Sequence, residues 1–283
     1  MTIFRRRRVK HKLHVLASAA IVWFFALPAH AGGINSDEAM TPNKGGLILR
    51  IKGVYADAEA SGAIRDVDTF KVVSVLAYGL REDLSLYLRM PLRYAEVETT
   101  GPGGVGREKN DHLGFEDFAL FLKYRFWQKD TSPSDTYRIA LLGGLELRTG
   151  DSQFSSDSYD PLSGITFTRH HGRHHVNGDA IYQLNTGSGP SGADSLRYDL
   201  AYSYRFHPKR FTPGHAFQWD IVGEINGEYL TDGSHEIFLS PGVQYSLHRW
   251  RFETSLQLPV LQDLKPGRPE ANYRIVTGFR YHW

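Results

Sequence analysis

The chain has no cysteine among its 283 residues. That excludes disulfides, thiolate chemistry and a lipid-modified N-terminal cysteine. Past residue 31 it also lacks any continuous apolar run of the roughly 20 residues that a membrane-crossing helix needs. It has no G-x-S-x-G elbow of a serine hydrolase. Its GPGG and GSG clusters do not lie in a strand–loop–helix context that would cradle phosphate. Mean hydropathy is negative, −0.37. A polar average leaves one membrane class open, because a barrel offers only alternate residues to lipid.

What is present begins with a leader. "MTIFRRRRVKHKLH" is a basic stretch, Val15 to Leu27 is apolar, and "LPAHA" puts Ala29 and Ala31 at the small-residue positions before a cut. We expect residues 1–31 to be a cleaved signal peptide and 32–283 a single barrel domain, a membrane anchor being the other reading of the leader. The leader carries six basic residues and no acid, so the remainder has 27 basic against 31 acidic residues, a net charge of −4. A nucleic-acid partner loses its electrostatic support.

Aromatic residues make up 13% of the chain, and they recur at every second position. "SLRYDLAYSYRF" sets Leu196, Tyr198, Leu200, Tyr202, Tyr204 and Phe206 against Arg197, Asp199, Ala201, Ser203 and Arg205. "WRFETSLQLPV" and "FQWDIVGEINGEY" repeat the pattern. Alternate strand side chains point to opposite faces. Each segment therefore has an oily face with aromatics at both ends and a face charged along its length, as lipid-crossing strands do. Such segments number about twelve, near 46–56, 69–80, 84–97, 115–127, 136–149, 163–171, 174–185, 195–207, 216–229, 235–247, 249–261 and 271–283. The expected fold is all-β, a transmembrane antiparallel up-and-down β-barrel. A soluble β-sandwich is the alternative, and it would turn the oily faces toward each other.

The connections alternate in kind. "TTGPGGVGREKNDHLG" and "GDSQFSSDSYDPL" are long and polar, whereas "REDL", Gly172-Arg173 and "LHRW" are tight. "WQKDTSPSDTY" and "FHPKRFTPGH" are longer than expected on the short-turn side. A sheet in hydrocarbon must close, since unpaired amides there cost several kcal/mol each. The segment ending Phe279, Tyr281, Trp283 is then expected to pair with the first strand. It also resembles the C-terminal signal read by the barrel-assembly machinery, with Trp in place of the usual Phe.

"VLAYGLREDLSLYLRMPLRY", "GFEDFALFLKYRFW" and "YRIALLGGLELRTG" make the chain similar to outer-membrane transporters named for a MetA pathway of phenol degradation. The resemblance implies a barrel porin or transporter. It brings no catalytic or ligand residues with it.

Taking the polar faces as the interior, the lumen-lining candidates are Arg89, Arg93, Lys123, Arg125, Arg138, Arg148, Arg197, Arg205, Arg251, Arg274, Arg280, Asp199 and Glu224. The excess is basic, and rings of Arg or Lys favour anions in a narrow pore. Cross-strand ion pairing is the equally open reading. His170, His171, His174 and His175 flank a tight turn, and imidazole binds transition metals. Alternation sends neighbours to opposite faces, so an interfacial hairpin is favoured over a metal site. No cofactor is expected. The expected function is an outer-membrane channel for small solutes, with anionic or aromatic compounds as candidates. A structural or adhesive barrel and an outer-membrane lipid hydrolase are the alternatives. Expected partners are the lipid bilayer, lipopolysaccharide, the barrel-assembly machinery and the solute, with bacterial outer-membrane localisation.

Overall fold

A computed structural model describes residues 32–59, 64–100, 107–132, 134–187, 192–210 and 217–283. The leader lies outside the described residues. The strands are β1 (Leu47–Glu59), β2 (Ile64–Gly79), β3 (Leu84–Thr100), β4 (Arg107–Phe115), β5 (Phe118–Ser132), β6 (Asp135–Leu147) and β7 (Asp160–His171). They continue as β8 (His174–Gln183), β9 (Ser195–His207), β10 (Phe217–Leu230), β11 (His235–Leu247), β12 (Trp250–Asp263) and β13 (Glu270–His282).

Twelve of these form an antiparallel ring. Each strand pairs with its sequence neighbours, apart from β3, which passes over β4 to pair with β5, and β13 closes on β1. The closing seam runs from Ile48 opposite His282 to Glu59 opposite Glu270, with a shift at Asp57. Trp283 donates its amide to the Leu47 carbonyl at 2.9 Å. Outside the seam, Trp250, Phe279, Tyr281 and Trp283 form a chain of ring contacts, with Trp250–Tyr281 centroids 4.3 Å apart.

Burial is inverted relative to a soluble protein. Along β10 the exposed positions are Phe217, Trp219, Ile221 and Ile225, and the buried ones are Gln218, Asp220, Glu224 and Asn226. Leu200, Tyr202, Phe252, Leu256, Leu258 and Ile275 are likewise exposed. Turning oily side chains out to water is unfavourable at about 25 cal/mol per Å². The same arrangement in acyl chains has no such cost, so the outer surface is a lipid surface and the barrel spans a membrane. The alternative of a soluble sandwich is excluded by this polarity.

Two expectations about the strands are corrected. The segment expected as the long polar loop "TTGPGGVGREKNDHLG" contains β4, which pairs along the upper half of β3 from Leu92–Phe115 to Thr100–Arg107. β5 pairs only with the lower half, from Leu84–Tyr124 to Arg89–Ala119. At this point β3 changes partner. Among the described residues no strand pairs with the far edge of β4. The loop after β6 packs against that step: Asp151 donates its amide to the Phe115 carbonyl at 2.9 Å. Buried Asp117, between β4 and β5, accepts hydrogen bonds from Thr149, Gly150, Ser155 and Ser156. Burial opposes its ionisation, but the Gly150 and Ser156 amides outweigh it and hold the carboxyl below its usual range. The second correction concerns "WQKDTSPSDTY". It is an extension of the β5–β6 hairpin, paired as far as Ser132 opposite Asp135, so this connection is tight as well.

The Gly172-Arg173 turn shows why glycine is needed at its first position. Gly172 has φ +61°, the left-handed region in which a side chain would clash.

Candidate functional site

Residues 33–41, ahead of β1, are inside the barrel. They form no strand, having no alternating face, and are held by inward-pointing side chains of the wall. Ile34 is fully buried against Val222 and Val276, with Val54 beside it. Glu224 of β10 accepts hydrogen bonds from the Asn35 amide (2.9 Å), the Asn35 side chain (2.6 Å) and the Ser36 hydroxyl (3.2 Å). Asp179 of β8 accepts from the Asp37 amide at 2.6 Å, and Thr168 of β7 accepts from Ala39 at 2.9 Å. Lys123 of β5 donates to the Glu38 carbonyl at 2.8 Å, and Arg125 donates to the Thr41 hydroxyl at 2.6 Å. Residues 33–41 are therefore a plug, tied to several wall strands by hydrogen bonds that replace those to water.

The centre of this clasp is a row of three arginines. Strand register places Arg251 of β12, Arg280 of β13 and Arg50 of β1 directly opposite one another. Like charges so aligned repel, and two carboxylates lie among them. Glu253 reaches Arg50 at 2.9 Å and Arg280 at 3.3 Å. Glu38 of the plug reaches Arg280 at 2.8 Å and Arg251 at 3.8 Å. Arg280 also donates to the Gly33 carbonyl at 2.6 Å, and Arg50 donates to that of Ile34. Gly278 makes room for this. A Cβ there would lie 2.4 Å from Glu253 Cγ, so only glycine lets the carboxylate lie across β13.

The electrostatics of the plug follow from this packing. Burial alone would raise the Glu38 pKa, but the Arg280 and Arg251 guanidiniums outweigh it and hold the carboxyl at about 2. Asp37 is likewise held at about 2 against burial, by Lys123 and then Arg197. Both side chains stay ionised through the neutral range.

The expected lumen residues fall into three groups. Lys123, Arg125, Arg138, Arg197, Arg251, Arg280 and Glu224 contact the plug; Arg138 does so through the Met40 sulfur at 3.0 Å, and Arg197 faces Asp37 at 3.6 Å. Away from the plug, Arg89 binds Glu146, Arg93 faces Glu116 at 3.6 Å, and Arg274 binds Glu236 at 2.8 Å. Asp199 lies beside Arg197 at 3.6 Å, and buried Arg205 donates to the Gly172 carbonyl at 3.4 Å. Arg148 is apart from both groups: it follows the end of β6, is exposed, and pairs with Asp157 of the loop.

The four histidines divide by face. His170 and His175 are buried inside as an opposed pair with ring centroids 4.2 Å apart. His171 and His174 point outward, toward Asp135 at 3.3 Å and the Tyr202 hydroxyl at 2.7 Å. Among the described residues no group of three His, Asp or Glu side chains converges as metal ligands would.

The plug is the functional element that strand periodicity does not reveal. Its one signal is charge: "SDEAM" places the acids Asp37 and Glu38 just ahead of the first strand.

The sequence matches, over residues 60–260, the family described as "Putative MetA-pathway of phenol degradation". The chain belongs to this family. No curated protein matches it in sequence. Among solved structures, an outer membrane channel from Pseudomonas putida F1 superposes with a TM-score of 0.54 at 15% identity. That match covers 87% of this chain and 98% of the other. The Ralstonia pickettii toluene transporter TbuX superposes with a TM-score of 0.46 at 10% identity, covering 89% and 96%. At these identities the likeness concerns the fold: this family member has the architecture of outer-membrane barrels.

Proposed function

We propose that the protein is a bacterial outer-membrane channel for small solutes, exported by its leader, inserted by the barrel-assembly machinery, and bordered by lipid and lipopolysaccharide. Its own plug narrows the passage. The observation that carries this reading is the unequal wetting of the inner wall. Arg251 and Glu253, against the plug, have side chains only 2% and 0% exposed, whereas Lys71 and Arg93, on β2 and β3 next to β1 in the ring, are 36% and 37% exposed. Inside a closed ring, such exposure marks a water-filled path along β2 and β3.

Anions suit that path, because among the described residues Glu116 is the one acid within ion-pair distance of either Lys71 or Arg93, Glu228 acting on Lys71 from farther away. Arginine and lysine also lie over inward rings, Arg274 on Phe238 at 4.1 Å, Lys123 on Tyr87 at 4.8 Å and Arg93 on Phe154 at 5.6 Å. With the family's tie to phenol degradation, this makes aromatic anions such as benzoates and phenolates the candidate solutes. A hydrolase would need a nucleophile and a base meeting lipid at one rim, and no observation favours that reading.

The test is conductance of the purified protein in planar bilayers under a salt gradient. Discrete channels with an anion-selective reversal potential are expected. Membranes indistinguishable from bare lipid would remove the channel reading, and cation selectivity would remove the anionic part.

A further inference from the structure

We propose that the Arg50–Arg280–Arg251 row is a carboxylate-binding station on the transport path, and that Glu38 closes it by standing in for the carboxylate of a solute. This deepens the channel reading above and rests on it.

Three features of the row support a binding role. The first is its charge. Arg50, Arg280 and Arg251 adjoin Lys52; among the described residues Glu253 is the one wall carboxylate within ion-pair distance of the row, Asp220 acting on Arg251 from farther away. A wall braced only for stability would balance these cations itself. Here the second carboxylate comes from a segment outside the sheet.

The second feature is how that carboxylate is held. One Glu38 oxygen, Oε1, lies 2.8 Å from Arg280 Nη1 and 3.8 Å from Arg251 Nη1. Guanidinium groups hold a carboxylate in this manner whatever it belongs to, with charge-assisted hydrogen bonds about twice as strong as neutral ones. Arg280 and Arg50 hold the plug main chain as well, through the Gly33 and Ile34 carbonyls. A solute carboxylate entering this row would thus replace one plug contact and loosen its neighbours.

The third feature is the remainder of the plug's anchorage, in which Lys123 and Arg125 hold only a carbonyl and a hydroxyl and the one other plug carboxylate, Asp37, stands among wall acids. Asn35 and Ser36 donate neutral hydrogen bonds to Glu224. Asp37 carries its negative charge beside Asp179, which is directly opposite Asp199. Repulsion there offsets part of what Arg197 and Lys123 contribute. Glu38 is thus the one plug carboxylate held by the arginine row, and it is the group a competing anion at the row would displace first.

The experiment uses the full chain. It contains no cysteine, so one introduced at fully buried Ala39 reports the plug alone. Ala39→Cys protein in liposomes is treated with a membrane-impermeant maleimide, with benzoate or with its neutral isostere benzamide, and conductance is recorded in parallel. Benzoate should accelerate labelling several-fold, and benzamide should not. Adding Glu38→Gln should raise the basal labelling rate and the open-channel occupancy about tenfold, the effect of losing one strong charge pair, and should abolish the response to benzoate. Arg280→Lys, which keeps the charge and loses the fork, should weaken the benzoate response without loss of folding. Equal action of benzamide, or Glu38→Gln protein that labels and conducts like its parent, overturns the proposal. Faster labelling with no conductance in any variant would instead remove the channel reading and leave the latch standing.

Discussion

Two walls of the same barrel carry the same kinds of residue and differ in what covers them. On β12, β13 and β1, arginines and a glutamate are packed dry beneath the plug. On β2 and β3, Lys71 and Arg93 share Glu116 and are partly wetted, with side chains 36% and 37% exposed. Local sequence on the two walls is much alike, with charged residues at alternate positions. What distinguishes them is the covering segment. A charge pair removed from water must be fully satisfied or it is costly, while a wetted pair is screened and contributes little. The dry wall should therefore govern stability and gating, and the wet wall should govern which ions pass.

The largest effect is expected from Glu253→Ala, which leaves buried Arg251 and Arg280 and half-buried Arg50 aligned with only the plug carboxylate between them. Breaking such a pair costs about 3–5 kcal/mol. The measurement is the denaturant midpoint of the folded gel band in detergent, and a shift no larger than that of a surface variant would erase the difference between the walls. Next comes Ile275→Arg, on the lipid face directly behind the dry wall and exposed in the isolated barrel. A cation placed there should cost about 2–4 kcal/mol in lipid vesicles, and an unchanged refolding yield would show that this face does not meet acyl chains.

A pH titration sharpens the contrast further. Glu38 and Asp37 have folded pKa values of about 2, below their ordinary 4.5 and 3.8. A depressed carboxylate stabilises the docked plug above its ordinary pKa and loses that contribution as pH falls through the folded value. Glu38 faces Arg280, Arg251 and His170, with Lys123 on its own carbonyl; Asp37 faces Lys123, Arg197 and Asp179. Open-channel occupancy should stay level near neutrality and rise as pH drops from about 4.5 toward 2. A maximum at neutral pH would contradict the latch. The smallest effect on stability is expected from Glu116→Ala on the wet wall, less than about 1 kcal/mol. Its signature should instead be a reversal potential moved further toward anions, and a stability loss equal to that of Glu253→Ala would mean both walls are dry.

Much of the fold was legible because lipid imposes a strict rule. Every crossing strand must be oily on one face, so strands such as β9, β10 and β12 announce themselves in Tyr202, Ile221 or Phe252. β4 did not, because "REKNDHLGF" has apolar residues only at Leu113 and Phe115, and Glu108 to His112 are exposed on both faces. It is a strand through its backbone pairing with β3, which no side-chain pattern encodes. The histidines were half legible: alternation separated each adjacent pair, but only the register at the turn set His170 opposite His175.

By itself the sequence determined a closed, inverted barrel, since a period of two with oily and charged faces has one stable arrangement in a bilayer. It also placed arginines at alternate positions on the polar faces of the strands. Which arginines face water and which are bound was decided by tertiary structure alone. That depends on Glu38 meeting Arg280 at 242 residues' separation, and no local pattern reports which distant groups a folded ring will bring within reach.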